Sequence, residues 1–152
     1  MRTIELDYLF TIRLQVPTVR SLGATPLGGR RIATIGGGSF DGPRLRGTVV
    51  PGGGDWILVR ANGSLQLDVR VTLETDDGAL IYLSYRGIRA GRPEVLQRLD
   101  RGEPVDPSEY YFRTSPVLET GAPAYAWLNN VIAVGTGERL PSEVVYTVYA
   151  VA

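Results

Sequence analysis

The stretch Leu65–Arg89, LQLDVRVTLETDDGALIYLSYRGIR, is two alternating runs joined by an acidic glycine turn. Alternation at period two is the mark of a half-buried strand, and Asp-Gly between two such runs marks a hairpin. The turn length decides which side chains share a face. A two-residue Asp77-Gly78 loop sets Arg70 across from Tyr85 and Val69 across from Arg86, mixing polar and apolar groups on both faces. A three-residue loop, Asp76-Asp77-Gly78, closes a type I turn with Gly78 in the left-handed conformation and segregates them. Leu67, Val69, Val71 and Leu73 then share one face with Ile81, Leu83 and Tyr85. Asp68, Arg70, Thr72 and Glu74 share the other with Tyr82, Ser84 and Arg86. A one-residue slip exchanges the faces of a whole strand, so the segregated register is the expected one. It places Asp68 opposite Arg86 and Thr72 opposite Tyr82.

Outward from this hairpin the chain reads as strands. Ile4, Leu6, Tyr8, Phe10, Ile12, Leu14 and Val16 alternate over a run longer than an ordinary strand, which suits a barrel wall, and Pro17 ends it. Gly23–Gly29 reads as a loop and Arg30–Ile35 as a short strand. Gly36-Gly37-Gly38 invites a phosphate-loop reading, but no helical pattern follows and no Lys-Ser/Thr closes it, so bends in a sheet are expected there. Leu45–Val50 and Asp55–Arg60 read as two strands separated by Pro51-Gly52-Gly53-Gly54, and Asn62-Gly63 turns the second into the opening hairpin. Arg92–Arg101 has Pro93 in a first helical turn, Val95, Leu96 and Leu99 at helical spacing and Gly102 as a stop, giving one short helix. Tyr110–Ser115, Tyr125–Val134 and Val144–Val151 complete about nine strands. With 19 glycines and 10 prolines in 152 residues, the reading is a single all-β domain over 1–152. An antiparallel barrel is expected, with a two-sheet sandwich as the alternative.

Composition excludes much chemistry. There is no cysteine and no histidine, and every one of the 16 basic residues is arginine. Ser-His-Asp and Cys-His nucleophile systems, lysine Schiff bases and the usual zinc ligands are therefore absent, and no Asp-rich loop of the calcium type occurs. The net charge is zero and the arginines are scattered, Arg30-Arg31 being the densest basic spot, which argues against a nucleic-acid partner. Glu5 and Asp7 interrupt the first apolar run and no run approaches the length of a membrane helix. No signal peptide and no membrane partner are expected, and the cytoplasm is the expected compartment.

Four segments together carry a resemblance over nearly the whole chain: GATPLGGRRIATIGGGSFDGPRLRGTVVPGGGDWILVRANG (Gly23–Gly63), LDVRVTLETDDGALIYLSYRG (Leu67–Gly87), YYFRTSPVLET (Tyr110–Thr120) and YAWLNNVIAVGTGER (Tyr125–Arg139). In order and spacing the chain resembles the bacterial and fungal domain-of-unknown-function family DUF3237. The resemblance implies a compact calycin-like β-barrel and no settled biochemical role.

A catalytic site built from these residue types needs a carboxylate as acid or base, a phenol or second carboxyl as its counterpart, and a guanidinium or amide to hold negative charge. Proton abstraction beside a carbonyl, elimination or addition, cyclisation and isomerisation suit that set, and none requires a cofactor. The candidates for catalysis are Asp55, Asp68, Tyr82 and Glu119. Those for ligand binding are Arg70, Tyr111, Arg113, Trp127 and Asn129. Asp68 and Arg70, Tyr111 and Arg113, and Trp127 and Asn129 are each two residues apart on one of three strands, hence each pair lies on one face. Pointed inward, these faces line a pocket for a small aromatic or polyketide-like carbonyl compound; pointed outward, they meet water. Trp56, Tyr146 and Tyr149 read as core or interface aromatics. Three functional readings follow: a cofactor-independent lyase, isomerase or cyclase acting in the barrel lumen; a non-catalytic carrier or sensor of a similar small organic ligand; and an interaction protein that forms a homodimer through a second apolar face.

Overall fold

In the computed structural model, which describes residues 1–152, one antiparallel sheet of ten strands accounts for most of the chain. The strands are β1 (Leu6–Gln15), β2 (Thr18–Thr25), β3 (Gly28–Ile35), β4 (Gly37–Asp41), β5 (Arg46–Val59), β6 (Leu65–Thr75), β7 (Leu80–Gly91), β8 (Tyr110–Glu119), β9 (Ala133–Arg139) and β10 (Glu143–Val151). Eight of them close on themselves in the order β5-β4-β1-β10-β9-β8-β7-β6, with β6 pairing back onto β5. Closure leaves those eight strands without a free edge. The remaining two, β2 and β3, extend the wall beside the second half of β5. The fold is thus the expected antiparallel barrel and not the two-sheet sandwich.

The opening hairpin has the expected register. Asp68 pairs with Arg86 and Thr72 with Tyr82. Gly78 has φ +86°, and its N–H donates to the Thr75 carbonyl at 2.9 Å. Leu67, Val69, Val71, Leu73, Ile81, Leu83 and Tyr85 are all buried inside the barrel.

Three expectations differ from what is observed. The first strand ends before Pro17 as expected, but the sheet does not stop there: the chain resumes as β2 and folds back on itself. Gln15 pairs with Gly37 and Thr18 with Thr34 in one continuous register, so β1–β2 and β3–β4 form a single long hairpin bent at Pro17 and Gly36. Residues expected as loop and bends, Gly23–Gly29 and Gly36–Gly38, are largely strand within that hairpin. Second, Pro51–Gly54 does not divide β5. It forms a bulge: β5 advances from Val50 to Gly54 while β6 advances only from Thr72 to Arg70. A bulge demands no ladder bond from Pro51, and because two residues are inserted the alternation survives. Val49, Asp55 and Ile57 all remain on the inner face. Third, Tyr125–Val134 is not a strand. Pro123–Asn130 is a 3-10 segment whose Asn129 side chain accepts from the Thr120 N–H at 2.8 Å and donates to the Thr120 carbonyl at 2.9 Å. Such side-chain bonds to the backbone hold a compact loop in competition with a ladder.

The two ends of the barrel are closed differently. Near the β6–β7 turn, Leu128 of the 3-10 segment is fully buried beside a core that includes Phe10, Phe40, Leu73 and Ile81. At the other end α1 (Pro93–Asp100), which begins directly after β7, buries Val95, Leu96 and Leu99. No helix is long and apolar enough to cross a membrane.

Candidate functional site

Below α1 the lumen is not filled. A cavity of about 310 Å³ is walled by the inner faces of β3, β5, β6, β7 and β10, and bordered by the bend at Val16-Pro17 and the β9–β10 turn at Leu140-Pro141-Ser142. Most of its wall is apolar, including Leu14, Ile57, Leu67, Val69 and Leu99. Against that wall stand a few polar groups, which is how ligand sites are generally composed.

The inner row of each strand delivers these groups. On β7, Ile81, Leu83, Tyr85, Gly87 and Arg89 are successive inward positions, so the apolar row ends in a phenol and a guanidinium. On β10, Tyr146 lies between the inner-row residues Val144 and Val148; on β9, Arg139 follows Gly135 and Gly137. Gly137 sits opposite Tyr146, and a Cβ there would fall 2.7 Å from Cγ of Phe112. The missing side chain lets the Phe112 ring lie across β9 and meet Tyr146 edge-on at 5.4 Å, while Tyr85 meets Tyr146 at 5.0 Å. These T-shaped contacts fix the ring planes of both phenols.

Asp55 faces them from β5. It is 8% exposed, and its Oδ1 accepts the Asp68 N–H at 3.1 Å, the only hydrogen bond the protein gives it. Burial is the largest influence on its carboxyl and raises it from 3.8 to about 7; the Asp68 N–H and the Arg89 charge pull the other way without restoring it. Burial also raises both phenols, with the nearby Asp55 carboxylate adding to the effect on each. Tyr85 and Tyr146 are therefore neutral hydrogen-bond donors at physiological pH. Arg89 is 7% exposed; its Nη2 donates to Asp100 at 3.2 Å at the end of α1, and Arg31 donates to the same Asp100 oxygen at 3.2 Å. Buried Nε of Arg89 and buried Nη1 of Arg139 have no protein partner. The arrangement offers a carboxyl poised near neutrality, two fixed phenol donors and two guanidinium donors around one apolar cavity.

Of the nine residues singled out from the sequence, Asp55 alone lines this cavity. The other eight do not line it: of the two facings open to them, the structure gives the one away from the lumen. Asp68 and Arg70 are on the outer face of β6, with Arg86 reaching Asp68 at 3.9 Å across exposed surface. Tyr82 is 40% exposed and pairs with exposed Glu119 on the outer wall. Tyr111 and Arg113 are exposed on β8, the guanidinium 5.1 Å from the ring centroid. Trp127 and Asn129 are not on a strand; Arg44 stacks over Trp127 at 3.6 Å, and Asn129 is the loop brace described above. For the six on strands the physical reason is common: an interior this narrow is filled by the apolar rows, so the more polar rows turn to water. The polar residues that do line it beside Asp55, among them Tyr85, Arg89, Arg139 and Tyr146, are polar side chains on apolar rows, and that interruption is the signal that identifies them.

The sequence matches the family model described as "Protein of unknown function (DUF3237)" over residues 4–151. A UPF0311 protein of Rhodopseudomonas palustris is 44% identical over 149 residues, covering 98% of this chain and 97% of that protein. A crystal structure of a conserved protein of unknown function from the same organism superposes with a TM-score of 0.95 at 42% identity, over 100% of this chain and 99% of the other. A β-barrel-like protein from Acinetobacter baumannii superposes with a TM-score of 0.87 at 41% identity, over 100% of this chain and 98% of its own. More distantly, the hydroalkoxylation enzyme phnH of Penicillium herquei is 27% identical over 137 residues, 90% of this chain and 76% of that enzyme. On the strength of the family match and these long alignments, the chain belongs to the DUF3237 family.

Proposed function

We propose that the lumen is the reaction chamber of a cofactor-independent acid/base enzyme of the lyase, isomerase or cyclase type, acting on a small aromatic carbonyl compound. The observation that carries this reading is Asp55: a carboxyl buried among apolar groups, raised to about 7, facing two buried phenols. A group whose pKa lies near the working pH both takes and returns a proton, which is what such chemistry asks of it. Tyr85 and Tyr146, kept neutral by burial, supply O–H donors for the carbonyl oxygen as it gains negative charge. Hydroalkoxylation, the named activity of the Penicillium relative, adds an O–H across a C=C bond, and on an enone that addition is acid/base chemistry. In such an addition the carboxylate removes the proton of a hydroxyl as its oxygen bonds to the β-carbon of an enone. The C=C pair shifts to join the α-carbon to the carbonyl carbon as the C=O π pair moves onto oxygen, giving an enolate, and the neutral carboxyl returns the proton to the α-carbon. Substrate and product are isomers, so no electrons are gained or lost.

Ring closure of ortho-hydroxychalcones and related hydroxyaryl enones, followed by loss of enone absorbance, tests the reading. The parent should exceed the uncatalysed rate, and Asp55→Asn should lower kcat by roughly 10²- to 10⁴-fold with binding retained. The parent profile should inflect near the Asp55 value of about 7. A parent that binds these compounds but closes none faster than buffer overturns the enzyme and leaves a carrier.

A further inference from the structure

The arginine end of the same cavity has a use beyond the acid/base step. We infer that it is an anion subsite, in which Arg89 and Arg139 together hold a carboxylate carried by the substrate. The inference rests on the lumen being the binding chamber and adds the class of molecule it takes.

The first argument is hydrogen bonding. An unsatisfied buried donor is costly, and a guanidinium donor more so than a neutral one. Here two such donors from two strands, Arg89 Nε on β7 and Arg139 Nη1 on β9, are both buried and both unpartnered beside one cavity. Arg89 is 7% exposed, so solvent does not relieve it. The second argument is charge. Arg31, Arg89 and Arg139 all line this end of the cavity. Asp100 is shared between Arg31 and Arg89. Glu143, the other acid at the mouth, is taken by Arg13 at 2.9 Å. Arg139 has no carboxylate within ion-pair distance. Three guanidinium groups thus face one available carboxylate at this end, with Asp55 further along the wall. The third is placement: β7 and β9 flank β8, and Arg89 and Arg139 stand on their inner rows lining one cavity, each within electrostatic reach of the other. A planar carboxylate, with lone pairs on two oxygens, accepts from both.

The cavity of about 310 Å³ is at the small end for organic ligands, so the molecule is an arene or short conjugated chain carrying the carboxylate at one end. With the carboxylate at the arginines, the rest of the molecule lies along Leu67, Val69 and Phe112 toward Asp55 and the phenols.

Binding of unreactive matched pairs isolates this claim from catalysis. Benzoate, cinnamate and hydrocinnamate would be compared with their primary amides by calorimetry against the parent, Arg139→Gln, Arg89→Gln and Asp55→Asn. Arg89→Gln loosens α1 through Asp100, so Arg139→Gln is the variant that decides, with its fold checked by circular dichroism. The parent should bind the best carboxylate at least about tenfold more tightly than its amide. That gap should collapse in Arg139→Gln, recover in part in Arg139→Lys, and persist in Asp55→Asn. Equal binding of acid and amide, a gap that survives Arg139→Gln, or no binding of any carboxylate overturns the subsite. A parent that prefers carboxylates yet closes no enone keeps the subsite and loses the enzyme. An active parent indifferent to the carboxylate does the reverse.

Discussion

Asp55 ties stability to function through one proton. In the unfolded chain its carboxyl titrates near 3.8; in the folded barrel burial holds it at about 7. Between those values the folded state keeps a proton that the unfolded state has released, so stability falls as pH rises through this window. Above about pH 7 the full penalty, on the order of 4 kcal/mol, is present. Asp55→Asn removes the ionisation and keeps an oxygen to accept the Asp68 N–H. The variant should therefore gain little over the parent near pH 4, and a few kcal/mol near pH 8, as read by urea unfolding at several pH values. A gain independent of pH would mean that the carboxyl titrates alike in the folded and unfolded chains, so that burial does not raise it. That a binding site destabilises its own fold is the usual consequence of burying a working group. The same logic explains how little of the site was legible in the sequence. Asp68, Arg70 and Tyr82 stand out because they share a polar row, yet a polar row is what a barrel turns to water. Tyr85 and Arg89 are less conspicuous, each a single interruption at the end of an apolar row. Seeing their importance requires knowing that β9 and β10 bring Arg139 and Tyr146 to the same place, and that is a matter of closure, not of local pattern.

At the level of elements, α1 is the part most easily loosened without breaking the sheet. It has eight residues, no side-chain N-cap, and is held by Val95, Leu96 and Leu99 together with the Asp100 bridge to Arg89 and Arg31. Leu99 is fully buried and also lines the cavity. Leu99→Ala should cost about 2–5 kcal/mol, and should do so by enlarging the cavity and not by unravelling the barrel. Thermal unfolding would give the loss, and a ligand one ring larger than the best parent ligand should bind the variant relatively better. The helix and most strands could be read from the sequence because spacing and punctuation are local: Pro93 and Gly102 bound α1, and the Asp-Asp-Gly turn sets the register of β6 and β7. The sequence misleads where one local signal has two meanings. Pro51 ends a ladder or sits in a bulge, and only the pairing of both flanks with β6 selects the bulge. YAWLNN alternates like a strand, but Pro123 and the Asn129 bonds to Thr120 organise it as a 3-10 loop.

For the whole molecule, the eight-stranded closure and the β2–β3 arm differ in how they are held. Strands β6 and β7 are paired on both sides and carry much of the core. Strand β2 is paired on one side only and is exposed along almost its whole length. Its partner β3 connects that exposed strand to the lumen, since Arg31, Ala33 and Ile35 all line the cavity, as does Val19 from β2. Few buried apolar contacts and a free edge mean a low cost of local opening. The hydrogen-bonded amides of β2 and the facing amides of β3 should exchange orders of magnitude sooner than those of β6 and β7, with the bend at Pro17 and Gly36 as the boundary. A carboxylate seated between Arg89 and Arg139 reaches the arm through Asp100, which Arg89 shares with Arg31, so saturating cinnamate should slow exchange across Arg31–Ile35 while leaving the outermost β2 amides unchanged. Exchange followed by mass spectrometry in the parent and in Arg139→Gln separates the two effects: the early opening should persist in the variant and the protection should vanish. Simultaneous exchange of arm and barrel would show one cooperative unit. The ligand would then enter through the mouth at the β9–β10 turn and not by displacement of the arm.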